Sequence, residues 1–398
     1  MVNHSLLSLP RITLLVLLLV ILQANAAAGF FIQGTSLTWY IPKKEAIYRP
    51  THSITKEDKS VYNVLSKAQV VDPLTGKYCQ ALDEELMPSS SNNKPIFPFF
   101  RAGSSSNGGS GGRKALVVVM PQLGDFDSAE YATMLKQVLP DLKRANIALR
   151  IIGIGNCKTA QMFSLFTGLP LECIRVDPTA SVHSALQLHR GPNWDVPDWV
   201  PSALIDWFAR DICGNKDNEK IPAKEVARSW LNYMAMCAGI AADGTLKEIL
   251  RGYLGDKSAP EMLTSEDTVH AGPMIAIKGT SDVKIGPIQY QNWWKNEQGY
   301  LRPVELATVR LRSMVEVLTK FEDYVPDQRL LDWRGATFLL DESSQRGDKK
   351  PLYEHRNPGV LTYSETMPRP LSFLQSYIGA EKARNPLGLR DPDFQYVD

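Results

Sequence analysis

The stretch Ala115-Leu116-Val117-Val118-Val119-Met120-Pro121-Gln122-Leu123-Gly124-Asp125-Phe126-Asp127-Ser128 sets the fold class. Ala115–Met120 is a continuous apolar run with three valines, the signature of a strand covered on both faces. A polar turn follows, and Asp127–Asn146 then sets Tyr131, Met134, Leu135, Val138, Leu139 and Leu142 at helical spacing. Pro140 is expected to kink or interrupt that helix, because it lacks an N–H and crowds the preceding turn. Asp127 or Ser128 is expected to cap its first turn, with Glu130 close to the positive end.

Working downstream, Ala148–Ile154 reads as another buried strand, Cys157–Thr167 as a helix stopped by Gly168, and Cys173–Val176 as a short strand. Asp177-Pro178-Thr179 then opens a helix expected to run through Leu188. Strands alternating with helices imply a parallel sheet with helices on its faces. Upstream, Ala68–Val71 and Lys77–Cys79 flank the turn Asp72–Gly76 as two short strands. Far downstream, Ala336–Asp341 and Pro351–His355 read as a hairpin, and Pro370–Ile378 as a closing helix. Between them, Gly191–Arg329 reads as mainly helical, with candidates at Lys224–Ile240, Thr245–Leu254 and Pro303–Phe321. The last places Val304, Ala307, Leu311, Met314, Val315 and Leu318 on one face, with Pro303 in its first turn.

The 398 residues carry 44 Lys and Arg against 43 Asp and Glu, a formal net charge of +1. That balance excludes a dedicated nucleic-acid binder, which needs excess cations to meet the phosphates. At the N-terminus, Arg11, the apolar run Ile12–Leu22 and the small residues Ala24 and Ala26 have the layout of a cleavable secretory signal over 1–26. The run is too short for a membrane anchor, and no second long apolar stretch occurs, so the mature chain is expected to be soluble. Residues 27–60 read as a transit-like extension and 87–113, rich in Ser, Gly and Asn, as a flexible insertion. The domain proper is expected over 61–380, with the helical insertion at 191–329 and a tail at 381–398. The five cysteines (Cys79, Cys157, Cys173, Cys213, Cys237) are odd in number, scattered, and include no CxxC pair.

The order of elements, from hairpin through a strand ending in proline to Asp-Pro, late hairpin and final helix, resembles the peroxiredoxin branch of the thioredoxin-like fold. The resemblance rests on Val70-Val71-Asp72 with Gly76-Lys77, on Val117–Pro121, on Asp177-Pro178 and on Arg334–Asp341. Met120–Ser128 and Arg302–Arg310 further resemble a photosynthetic-lineage group described as peroxiredoxin-like, within the alkyl-hydroperoxide-reductase/thiol-specific-antioxidant superfamily. The implied fold is α/β, a central mixed sheet with helices on both faces plus a large helical insertion. The implied function is an antioxidant or redox role, with the site at the carboxyl end of the Ala115–Met120 strand. Plastid localisation is also implied.

Peroxiredoxins place a nucleophilic Cys in a P-x-x-x-T-x-x-C arrangement, where a helix N-terminus and an Arg lower its pKa. Here Pro121 keeps the proline, Asp125 stands at the Thr and Ser128 at the Cys; a shift by one residue gives Ala129. A hydroxyl cannot be oxidised to a sulfenic acid, so standard thiol peroxidase activity is not expected. Arg334 matches the family arginine and reads first as a structural ion-pair partner of Asp125 or Asp127 and second as a substrate clamp, so that Cys157, Arg334, Asp125 and Ser128 are the candidate catalytic residues.

Cys157 is the one thiol with a candidate redox role, at the start of a helix with Lys158 beside it. The other reading of Cys157 is a small packed residue. Cys173 is expected at the opposite end of the sheet, out of bonding reach. Cys213 and Cys237 fall in the insertion, where Cys237 reads as core. Asp125, Asp127 and Ser128 read as helix-cap and turn residues before ligand-binding ones. His183 and His189 share no helix face, and no Cys/His/Asp cluster forms, so no metal or cofactor is expected. Gly153-x-Gly155 lacks the third glycine of a dinucleotide loop. Trp194, Trp199 and Trp207, and Trp293-Trp294 with Tyr290 and Tyr300, read as core first and as a partner surface second. The competing functional reading is a non-catalytic plastid interaction or assembly factor with an unknown protein partner, and an active reductase using Cys157 ranks below both.

Overall fold

The computed structural model describes residues 60–83, 86, 113–213, 221–254, 268–271, 274–277, 284–285, 302–341 and 350–386. The signal, the extension, most of the Ser/Gly insertion, Tyr290, Trp293, Trp294, Tyr300 and the last residues of the tail lie outside them.

The decisive apolar run forms strand β3 (Lys114–Gln122), after helix α1 (Val61–Lys67) and the antiparallel pair β1 (Gln69–Val71) and β2 (Tyr78–Gln80). Every residue of β3 from Ala115 on is buried, because the strand is central. It pairs in parallel with β4 (Ile147–Ile154) and antiparallel with β9 (Ala336–Asp341), with Val117 opposite Arg150 and Phe338. Helices α2 (Phe126–Arg144) and α3 (Cys157–Thr167) make the crossovers to β4 and to β5 (Ile174–Val176). With β10 (Tyr353–Arg356), the seven strands run in the order β10-β9-β3-β4-β5-β1-β2. Pro121 cannot donate to the ladder, and the β3–β4 register shifts between Met120 and Gln122, where the missing N–H does least harm.

Period-two alternation splits β3 between two cores. Leu116, Val118 and Met120 join Tyr131, Leu135, Phe163 and the insertion helices on one face. Ala115, Val117 and Val119 join Leu65, Ile152, Val182 and Phe338 on the other. Covering both faces is what a strand without polar alternation requires.

Three local expectations are corrected. Of the two outcomes expected at Pro140, a kink or an interruption, the interruption does not occur: α2 runs on through it, since Pro140 and Lys136, whose carbonyl loses its N–H partner, both face solvent. The helix after Asp177 is only α4 (Ser181–Ala185), bounded by positive φ at Ala180 (54°) and Gln187 (54°). The Asp177 carboxylate takes the Val182 N–H at 2.7 Å and the Ser181 and Thr179 hydroxyls, competing with a longer helix. The closing helix begins as a 3₁₀ turn over Ser372–Leu374, followed by α10 (Gln375–Ile378) and α11 (Ala380–Arg384).

The insertion holds α5 (Ser202–Trp207), α6 (Ala223–Cys237), α7 (Thr245–Leu254), α8 (Arg302–Thr319) and α9 (Phe321–Tyr324). It is not only helical: β6 (Thr268–Ala271), β7 (Met274–Ile277) and β8 (Lys284–Ile285) form a separate antiparallel sheet. Charge fastens these helices to the core. Arg310 of α8, 5% exposed, donates to Glu130 of α2 at 3.1 Å and to Glu248 of α7 at 2.6 Å. Tyr363 completes Glu130 at 3.1 Å. Glu130 therefore serves as a buried anchor, beyond any effect on the helix dipole.

Gly335 lets β9 start against β3: a Cβ there would overlap the Val119 carbonyl oxygen, which is backbone and cannot swing aside. Gly335→Ala is expected to cost about 1–3 kcal/mol, the usual range for overpacking. Urea unfolding checks this, and a change below about 0.5 kcal/mol, within the range of neutral surface substitutions, would mean the strands can part freely.

Candidate functional site

The β3–α2 turn puts Asp125, Asp127 and Ser128 at the carboxyl end of the central strand, and all three are buried. Asp125 is the N-cap residue of α2, yet its side chain makes no capping bond. Instead it accepts from Arg334 Nη2 and from the Tyr233 hydroxyl at 3.3 Å. Asp127 Oδ2 accepts the Leu361 N–H at 3.0 Å and lies 3.7 Å from Arg334 Nη1. Ser128 donates to the Gln122 carbonyl at 3.3 Å. The expectation that Asp127 or Ser128 caps the helix is thus corrected: a fully buried guanidinium outcompetes the orphan N–H groups for these carboxylates.

Arg334 is 1% exposed. Its Nε donates to the Trp333 carbonyl at 2.9 Å, and its Cζ stands 5.6 Å from the Tyr233 ring centroid. Burial disfavours the charged guanidinium, but Asp125 and Asp127 outweigh that and hold its pKa above the usual value. The expected pairing of Arg334 with these aspartates is what the structure contains.

Two carboxyl groups share one buried arginine. Burial first, and the neighbouring Asp125 charge second, push Asp127 up to about 8, against the opposing pull of Arg334. This favours the protonated form of Asp127 near neutral pH, which lowers the negative charge buried beside Arg334. Asp127 Oδ1 and Asn357 Oδ1 have no hydrogen-bond partner among the described residues. Both residues line a chamber of about 10 Å³ with Ser128, Tyr131, Thr337 and Tyr363. It is the size of one water molecule.

Cys157 opens α3 after the Asn156 cap, in the turn after β4, and β4 is parallel to β3, so it lies at the same end of the sheet as Asp125. It does not join the Arg334 cluster, whose contacts go to the two aspartates, Tyr233 and Trp333. Lys158, expected to support its thiolate, is 2.5 Å from Asp323. All five cysteines are free. Cys173 precedes β5, at the opposite end of the sheet from Cys157, and burial pushes its thiol up to about 11. His183 is buried against the Met120 carbonyl at 2.8 Å and His189 reaches the Ala241 carbonyl at 2.6 Å. Among the described residues no group of three His, Cys, Asp or Glu side chains could hold a metal, and no helix is long and apolar enough to cross a membrane.

Two residues of the insertion went unforeseen at this site. Tyr233 and Cys237, one turn apart on α6, stand beside Asp125. Burial, reinforced by the Asp125 charge, pushes the Cys237 thiol up to about 12. The reading of Cys237 as packed holds, but no periodicity in the sequence could tell which core it packs into. Trp194, Trp199 and Trp207 correct the core expectation, being 43%, 82% and 48% exposed.

The family of the AhpC/TSA antioxidant enzyme has a model that matches residues 134–359, more than half of the chain. No curated protein and no solved structure matches. The matched span takes in Cys157, the insertion at 191–329 and Arg334, and begins just after the Asp125–Ser128 turn. The seven-stranded mixed sheet, with its β3–α2–β4–α3–β5 crossovers and late β9–β10 hairpin, is thioredoxin-like. This chain belongs to the AhpC/TSA antioxidant enzyme family.

Proposed function

We propose that this chain serves an antioxidant or redox role of its family without ordinary thiol peroxidase turnover. One observation carries the reading: the buried Arg334 faces the carboxylates of Asp125 and Asp127 at the end of β3, and Ser128 follows with a hydroxyl. Peroxidatic turnover needs a thiolate that takes one peroxide oxygen to become a sulfenic acid and releases water or alcohol. A serine oxygen cannot do this, and Asp125 adds negative charge where a thiolate would need stabilising. Peroxide consumption by the purified chain is expected at buffer level in rapid mixing. Second-order consumption that vanishes in Cys157→Ser would instead establish the Cys157 reductase.

The exposed aromatics favour a second reading, an interaction or assembly factor that uses the fold as a scaffold. Trp199 at 82% exposed, Trp207 and Leu204 place apolar surface in water next to α5, where no described residue covers it. Trp199→Ala with Trp207→Ala is expected to strip partners in a pull-down while leaving the melting temperature unchanged. Retention of every partner would remove this reading. For both readings the N-terminal segment supports entry to the secretory pathway, and family resemblance supports a plastid destination. A tagged chain found wholly in vacuole or medium would refute the plastid.

A further inference from the structure

We propose that the cleft between α6 and α8 is a binding site for a small uncharged molecule, apolar over most of its surface and carrying one hydrogen-bond donor. Trp230, Tyr233, Met234 and Cys237 fall on one face of α6 at spacings of three and four, and Met314 and Val317 face them from α8. Between them lies a cavity of about 50 Å³. That is several times the roughly 10–15 Å³ one water needs and falls short of the roughly 150 Å³ that admits benzene, so the ligand has a handful of heavy atoms. The cavity shares no lining residue with the chamber beside Asp127.

The polar end of the cleft fixes the ligand's chemistry. Tyr233 spends its proton on Asp125 Oδ1, and Trp230 spends its N–H on Gln328 at 2.9 Å. By lone-pair count Asp125, which accepts one bond on each oxygen, and Tyr233 retain acceptor capacity, while the Cys237 thiol, already in contact with the Tyr233 hydroxyl, is only a weak donor. A bound molecule must therefore donate. An anion meets the Asp125 carboxylate, and a cation loses its hydration among apolar walls. Met234 and Met314 supply side chains that adapt to different ligand shapes. A short aliphatic alcohol meets every requirement.

The test uses the purified chain with ¹³C-methyl methionine, titrated with 1-propanol and, separately, with propionate. The Met234 and Met314 methyl signals are expected to shift saturably with 1-propanol and not with propionate, while those of Met162 and Met367 stay in place. Val317→Phe fills the cavity and is expected to weaken the response by at least about tenfold, equivalent to 1.4 kcal/mol. Should that variant not fold, Met314→Phe fills the same space and leaves Met234 as the reporter. Absence of a saturable shift, an equal response to propionate, or full binding in the filled variant would each overturn the site.

Discussion

Arg334→Met lowers the unfolding free energy by about 3–5 kcal/mol, the range for breaking a buried ion pair from one side. The guanidinium is 1% exposed and is the cation shared by Asp125 and Asp127, both 2% exposed. Removing it leaves the Asp125 carboxylate beside the Asp127 carboxyl, with the Leu361 N–H and the Tyr233 hydroxyl as their remaining polar support. The charge left without a counter-ion is relieved by proton uptake, so the loss should shrink on acidification. The pair is not thereby a net source of stability: an apolar replacement of all three groups can match it. Adding Asp125→Asn to Arg334→Met is accordingly expected to recover part of the loss. Urea unfolding at pH 7 of the parent, single and double variants measures each step. A single-variant loss below about 1 kcal/mol, the scale of an exposed pair, would show that the site is wetter than its burial implies.

Stability is also expected to fall as pH rises from about 4 toward 8, and Asp127→Asn should remove much of that fall. Asp127 titrates near 8 when folded but near the ordinary carboxylate value when unfolded. Across that interval the native state keeps a proton that the unfolded chain releases, so the contribution is complete below the unfolded pKa and gone above the folded one. The slope approaches roughly 1.4 kcal/mol per pH unit within the window. Asparagine mimics the protonated acid and should leave the protein more stable than the parent at pH 8. Burial raises Glu248 as well, despite Arg251 and Arg310, so a weaker slope of the same sign persists in the variant. Thermal unfolding from pH 5 to pH 9 gives the difference directly. Parallel curves for parent and variant would place the buried proton elsewhere.

Much of the sheet was readable because its signals are local. Three successive valines need cover on both sides, and β3 obtains it by taking the central position. Gly168 ends α3 with φ 72°, a left-handed value that glycine adopts freely, so this boundary was visible in one residue. The candidate helix Thr245–Leu254 is likewise helical over those residues. Pro140 did not interrupt α2, because its turn faces water, which a single residue does not reveal. The helix after Asp177 misled because the carboxylate found partners inside the loop.

The amino-acid order alone determined the strand-helix alternation, the serine at position 128 and the availability of Arg334 as a partner for the carboxylates. These follow from side-chain identity and short-range spacing. Only the tertiary structure decided that Asp125 would meet Arg334 across 209 residues and Tyr233 across 108, and that Trp199 would face water. Electrostatic pairing and exposure depend on distance in space and on the local dielectric, and long-range chain closure sets both.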